Sequence, residues 1–392
     1  MRVLSSILFF SLTMTQVFPE QKPDSLEALR NEIARNFFEA APHIALAKYH
    51  VNMGNRLLAF HICEEIRRNL IPRNQFDEAF FKAFPILPTE GEPLEPIDSE
   101  EKLKEYIRRY PDSPQAILYQ TEPLIKENPE AAKKLLEAGI QKYPKVGMLY
   151  FQLGRLVQER EDLKAAEALF VKAAELDTQS EVIQSWVGRF FLKVKNEYEK
   201  ALPYYLTAYF LNPHAYESEY VESRIYGIAS KIVNSTVTST KPQELRQLLR
   251  HADPAIVDKA IDLQKEDLGA EELIELMHHD CRTIRWKACE LLKNQGAKLA
   301  ETIILELLES QDLRLKGLAA YLWINRKGPA GFKDIDPLLT SETQLLQFDT
   351  VSALLLEGGE DGKKHLKTIP KDNLHPRVAA MLTKSLEQKK PE

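Results

Sequence analysis

Apolar residues recur at three- and four-residue spacing along most of the chain, the period of helices with one buried stripe. Residues 24–84 carry this pattern from SLEALRNEIARNFFEAAPHIALAKYH onward. Asp24 or Ser25 is placed to cap its start, and Pro42 is expected to divide it into two helices. The stretch 85–98, PILPTEGEPLEPID, holds four prolines and a glycine and reads as a linker or an extended strap. Helical patterning resumes at SEEKLKEYIRRYP, 99–111, and continues to Ser235. A polar break with a proline, STVTSTKP at 235–242, then marks a change of texture. Beyond it, short apolar helices alternate with polar turns that often carry Asp, as at Asp253, Asp280 and Asp312. The predicted class is all-α.

Within 99–235 the pattern repeats. Gly154 recurs as Gly188, an interval of 34 residues. Leu153-Gly154, Ala166, Phe170 and Ala173 have counterparts in Gly188, Ala201, Tyr205 and Ala208, and an earlier copy supplies Ala132, Leu136 and Gly139. The second Gly-to-Ala interval is one residue longer than the first, and Gln120 stands where the earliest copy would have its glycine. Small residues at fixed spacing let paired helices approach, and large residues fill the space between them. The pattern resembles the tetratricopeptide (TPR) repeat. The turns and helices of 241–392 resemble HEAT-like repeats, with Val257, Ile284 and Leu315 at comparable phase, Arg285 and Lys316 as matching cations, and an interval of roughly 27 to 32 residues.

These resemblances imply an α-solenoid. A signal peptide is expected at 1–18, an N-terminal helical cap and linker at 19–98, a TPR array with a closing helix at 99–235, and a HEAT-like domain at 241–392. TPR arrays bind along the face of their first helices. With the repeats starting at Gly147 and Glu181, that face would carry Phe151, Gln152, Arg155 and Glu159, then Ser185, Trp186, Arg189 and Lys193. Aromatic and Arg side chains dominate interface hot spots. The expected partner is therefore a protein or peptide, with Gln152, Arg155, Glu159, Trp186, Arg189 and Lys193 on the binding wall. The rival expectation is an enzyme or its accessory subunit, because similar repeats accompany lyases and transferases.

Composition adds limits. The chain has 392 residues and a net charge of −6, which gives no reason to expect a nucleic-acid partner. Residues 1–18 combine one Arg, an apolar run and a polar follow-on, the form of a secretory signal, without a small-x-small cleavage site. An exported location, periplasmic or secreted, follows as an expectation. The run is too short for a membrane span, so an integral membrane protein is not expected. Three cysteines, Cys63, Cys281 and Cys289, argue against a disulfide framework.

Catalytic and metal motifs do not emerge. His278-His279-Asp280-Cys281 has ligand chemistry, but four consecutive residues point in different directions, so a polar turn is expected. His43, His50 and His61 lack the H-E-x-x-H spacing, and EGGEDG at 357–362 lacks the ligands of a calcium or phosphate loop. No cofactor and no metal are expected.

Overall fold

The computed structural model describes residues 25–85, 100–213, 218–295 and 299–387. The expected signal peptide and nearly all of the expected linker lie outside these residues. The described residues form twenty-one α-helices and no strand, an all-α fold. In chain order α1 is Leu26–Arg35, α2 Ala40–Asn52, α3 Arg56–Asn69 and α4 Arg73–Ala83. There follow α5 Glu100–Arg109, α6 Pro114–Glu127, α7 Pro129–Lys142, α8 Gly147–Gln158, α9 Leu163–Leu176, α10 Glu181–Phe190, α11 Tyr198–Leu211 and α12 Ser218–Ser239. The remainder are α13 Pro254–Gln264, α14 Ala270–Met277, α15 Arg282–Asn294, α16 Glu301–Glu309, α17 Leu313–Lys327, α18 Phe332–Leu339, α19 Gln344–Leu356, α20 Gly359–Leu366 and α21 Pro376–Glu387. None of the described helices is long and apolar enough to cross a membrane.

Two details depart from the local sequence reading. Pro42 sits inside the first turn of α2, where its missing N–H costs nothing, and the break falls earlier, at residues 36–39. Helix α12 runs on through the polar STVTS stretch. There Thr238 and Ser239 donate to the carbonyls of Ser235 and Thr236 at 3.2 and 3.0 Å, so their hydroxyls are satisfied by the helix itself.

The chain divides into two compact units. A central unit spans Pro85–Asn234, and a discontinuous unit joins the residues up to Phe84 with those from Ser235 onward. Helices α1–α4, expected as a cap preceding the array, therefore belong with the C-terminal helices.

In the central unit α6 packs on α7, α8 on α9, and α10 on α11. A Cβ at Gly154 would lie 2.9 Å from the Phe170 ring, and one at Gly188 3.0 Å from the Tyr205 ring. The recurring glycines are thus the seats of two fully buried aromatics, Phe170 and Tyr205. The extra residue of the later copy is absorbed after α10 by a π-turn, Phe191–Lys195. It closes on Asn196 at φ 56°, a left-handed conformation that Asn tolerates better than most residues.

In the discontinuous unit a short first helix packs on a longer second helix four times: the 3₁₀ turn 242–250 on α13, α14 on α15, α16 on α17, and α18 on α19. Helices α20 and α21 both pack on α19. The turns that lead into α13, α15, α17, α19 and α21 share one device. His251, His279, Ser310, Ser341 and His375 each accept the backbone N–H two residues ahead, at 2.9, 2.9, 3.1, 3.1 and 3.4 Å. Asp253 and Asp312 then cap α13 and α17, accepting from Ala255 and Arg314 N–H at 2.8 and 2.9 Å.

Asp280 does not share that role. The cap position of α15 belongs to Cys281, and Asp280 precedes it by one residue. Its carboxylate instead holds Arg30 Nε at 2.6 Å, His50 Nε2 at 3.0 Å and Arg314 Nη1 at 3.0 Å. Burial would raise its pKa, but the hydrogen bonds from His50 and Arg30 and the charges of Arg30 and Arg314 drive it well below the ordinary carboxylate range. The fully enclosed Arg285 donates to the carbonyls of His279 and Asp280 at 2.7 and 2.9 Å. Lys316, matched to it in sequence, stays half-buried, and Arg314 is the buried cation of that pair.

Helices α1–α3 lie against the starts of the second helices. Arg282 N–H donates to Glu65 at 3.2 Å, Phe38 N–H to Gln344 at 3.0 Å, and Arg377 to the carbonyls of Phe38 and Leu70 at 3.1 and 3.2 Å. The Arg282 guanidinium packs over Phe37 and Phe348, with centroids at 5.0 and 5.4 Å, and donates to Asp349 at 2.8 Å.

The glycine seats yield a paired prediction. Gly154→Ala should cost ~1–3 kcal/mol by pushing on the Phe170 ring. Gly227→Ala, at an exposed helical position with nothing within 4 Å, should gain ~0.5–1 kcal/mol. Thermal melts of both variants check this, and shifts of the same sign would show that Gly154 is not a seat.

Acid sensitivity follows from the buried imidazoles. Burial lowers His43, His61 and His279 to about 4, so each is neutral in the fold. The unfolded chain then binds more protons between pH ~4 and ~6.5, so this stability is whole above ~6.5 and is lost as pH falls through ~4. Asp253, raised by burial to about 6, acts in the opposite sense below that pH. Each fully desolvated imidazole is worth at most about 3 kcal/mol. The urea midpoint should fall between pH 7 and pH 4.5, and His43→Gln should flatten that fall. An equal fall in the variant would exclude His43 as a source.

Candidate binding face

Helices α8 and α10 each bury one stripe and expose another. The buried stripe holds Leu149, Leu153 and Leu156 on α8, and Ile183, Val187 and Phe190 on α10. Ser180 caps α10, accepting the Ile183 N–H at 3.3 Å. The opposite stripe holds Gln152, Arg155 and Glu159 on one helix, and Val182, Trp186 and Arg189 on the other, at i, i+3 and i+4 spacing.

The structure brings the centre of this set together. The Arg155 guanidinium lies 5.0 Å from the Trp186 ring centroid, and that of Arg189 lies 5.2 Å from it. Arg155 also donates to Gln152 Oε1 at 3.2 Å. Phe151 meets Trp186 edge-on at 5.7 Å and braces the indole from below. Glu159 is exposed at the end of α8, and Lys193 is exposed in the π-turn. Phe151 and Ser185, both read as groove-facing, are each only 4 % exposed. Their side chains support the face and do not line it.

One feature of the face escaped the sequence reading. Val182 stands one helical turn before Trp186 and is 55 % exposed. Its position at i−4 from the tryptophan was a usable signal.

Other chemistry-bearing groups are engaged elsewhere. In the His278–Cys281 turn, His278 approaches Asp312 at 3.4 Å, His279 accepts a turn N–H, and Asp280 holds cations. Among the described residues no three His, Cys, Asp or Glu side chains converge as metal ligands. The three cysteines are buried, and burial raises their pKa values, so none is a ready nucleophile. A polar cluster joins α15, α17 and α19: Lys293 donates to Tyr321 at 2.8 Å and to Glu357 at 3.2 Å, and Tyr321 bonds Glu290. Both the Lys293 and Tyr321 pKa values rise, away from what a general base at neutral pH requires.

No protein-family model matches the chain, and no curated protein matches it.

The face should be separable from the fold. Arg189 is exposed, so Arg189→Ala should change stability by no more than about 0.5 kcal/mol. Phe170→Ala, in the core beneath the same helices, should cost about 3–5 kcal/mol. Chemical denaturation compares them, and a loss above ~2 kcal/mol for Arg189→Ala would make this arginine structural.

Proposed function

We propose that the chain is a non-catalytic scaffold that binds a protein partner through the face of α8 and α10. The observation that carries this reading is the tryptophan held between two helices with two guanidiniums on it, beside the exposed Val182, Arg189 and Lys193. Trp and Arg lead the residue types on which binding energy concentrates. The indole is braced by Phe151 before any partner arrives, so little ordering remains to oppose association. The central helix pairs, with their glycine seats, support the TPR reading, and the repeated turns of the discontinuous unit support a HEAT-like one. In that second stack, the starts of the second helices are already occupied by α1–α3 through Asp280, Glu65, Gln344 and Arg377. This favours the central unit as the recruiting surface. With the apolar run at 1–18 read as an export signal, the setting is the cell envelope.

Capture of partners from the native envelope fraction, followed by titration of the purified partner, tests this. Trp186→Ala should weaken binding by ~2 kcal/mol or more with the circular dichroism spectrum unchanged. A partner that binds Trp186→Ala and Arg189→Ala as tightly as the wild type, both variants being folded, would rule out this face.

A further inference from the structure

We infer that the segment received by this face is a short acidic one, with an apolar side chain next to carboxylates. The inference rests on the reading of α8 and α10 as the binding face, and it adds the chemistry of the occupant.

The charges on the face are unmatched. None of the ion pairs among the described residues includes Arg155, Arg189 or Lys193. Their neighbours Lys195 and Lys200, by contrast, hold Glu167 at 2.9 and 3.4 Å. Glu159 lies one turn from Arg155 without bridging it, although surface pairs at this spacing form elsewhere, as between Lys133 and Glu137 at 3.8 Å. Arginine is weakly hydrated and stacks on an aromatic face while keeping its N–H fork free for a carboxylate. Arg155 and Arg189 both stack on Trp186, Arg155 with one N–H given to Gln152.

The stripe on α10 is also polarised. Val182, exposed and aliphatic, comes first, then Trp186, Arg189 and Lys193. Apolar surface therefore lies at the start and cationic surface at the end. From Val182 to Lys193 a helical rise gives about 16 Å, which an extended chain covers in about five residues. A nucleic-acid polyanion fits less well, because three cations are few for a phosphate backbone and the chain is acidic overall at −6.

Phage display of random dodecapeptides against the immobilised full-length chain reads the preference directly. Recovered sequences should be enriched in Asp and Glu beside an aliphatic or aromatic residue. The synthesised peptides should bind at least tenfold more weakly to Arg155→Gln/Arg189→Gln, with Lys193→Gln as a milder second variant. Affinity should drop as salt rises from about 50 to about 300 mM, because exposed charges are screened. Peptides without acidic enrichment that lose binding to Trp186→Ala but not to the arginine variants would keep the face and overturn its acidic occupant. Peptides that neither set of variants affects, or no recovered peptide at all, would overturn both. A twelve-nucleotide thymidine oligomer that binds as tightly as the best peptide would overturn the peptide assignment.

Discussion

A carboxylate removed from water is costly, and a protein interior keeps one only where cations and donors surround it. Asp280 meets that condition with a guanidinium from α1, an imidazole from α2 and a second guanidinium from α17. Segments 250 residues apart in sequence thereby converge on one side chain. Loss of the carboxylate would leave buried positive groups facing one another, a larger penalty than the pair's own net worth. The arrangement specifies where α1–α3 dock more than it stabilises the docked state. Arg282 repeats the logic beside it, held between two phenylalanine rings and the carboxylate of Asp349.

The docking also occupies helix starts. Second helices in a stack of this kind would offer the starts of their helices, with their unpaired N–H groups, to a partner. Here Glu65 and the neighbouring segments already use that surface. The central unit differs, because Arg155, Arg189 and Lys193 on and after its first helices belong to no ion pair among the described residues and surround a half-buried indole. In one unit these polar groups join its own segments, and in the other the cations of the face form no ion pair among the described residues.

Much of the site was legible because helical periodicity is strict. The frame from Gly154 to Gly188 put Arg155, Trp186 and Arg189 on neighbouring helices at the same phase, and their side chains do meet. The same frame misjudged Phe151 and Ser185. A residue at the edge of a stripe is buried or exposed according to how closely the next helix packs, and that distance depends on side chains far along the chain. Asp280 was aligned with Asp253 and Asp312 because composition cannot distinguish a cap from the residue before it. A shift of one position turns the side chain by about 100° around the turn.

The sequence alone determined the all-α class, the seats of Phe170 and Tyr205, and the extra residue that became a π-turn. Each of these follows from interactions within about 35 residues, where spacing dictates contact. The tertiary structure alone decided that α1–α4 join the C-terminal helices, that Asp280 is a hub, and that Val182 belongs to the face. These depend on which amphipathic stripe meets which, and many apolar stripes are interchangeable in hydrophobicity. Buried charge pairing and shape select among them, and both exist only once the distant segments are assembled.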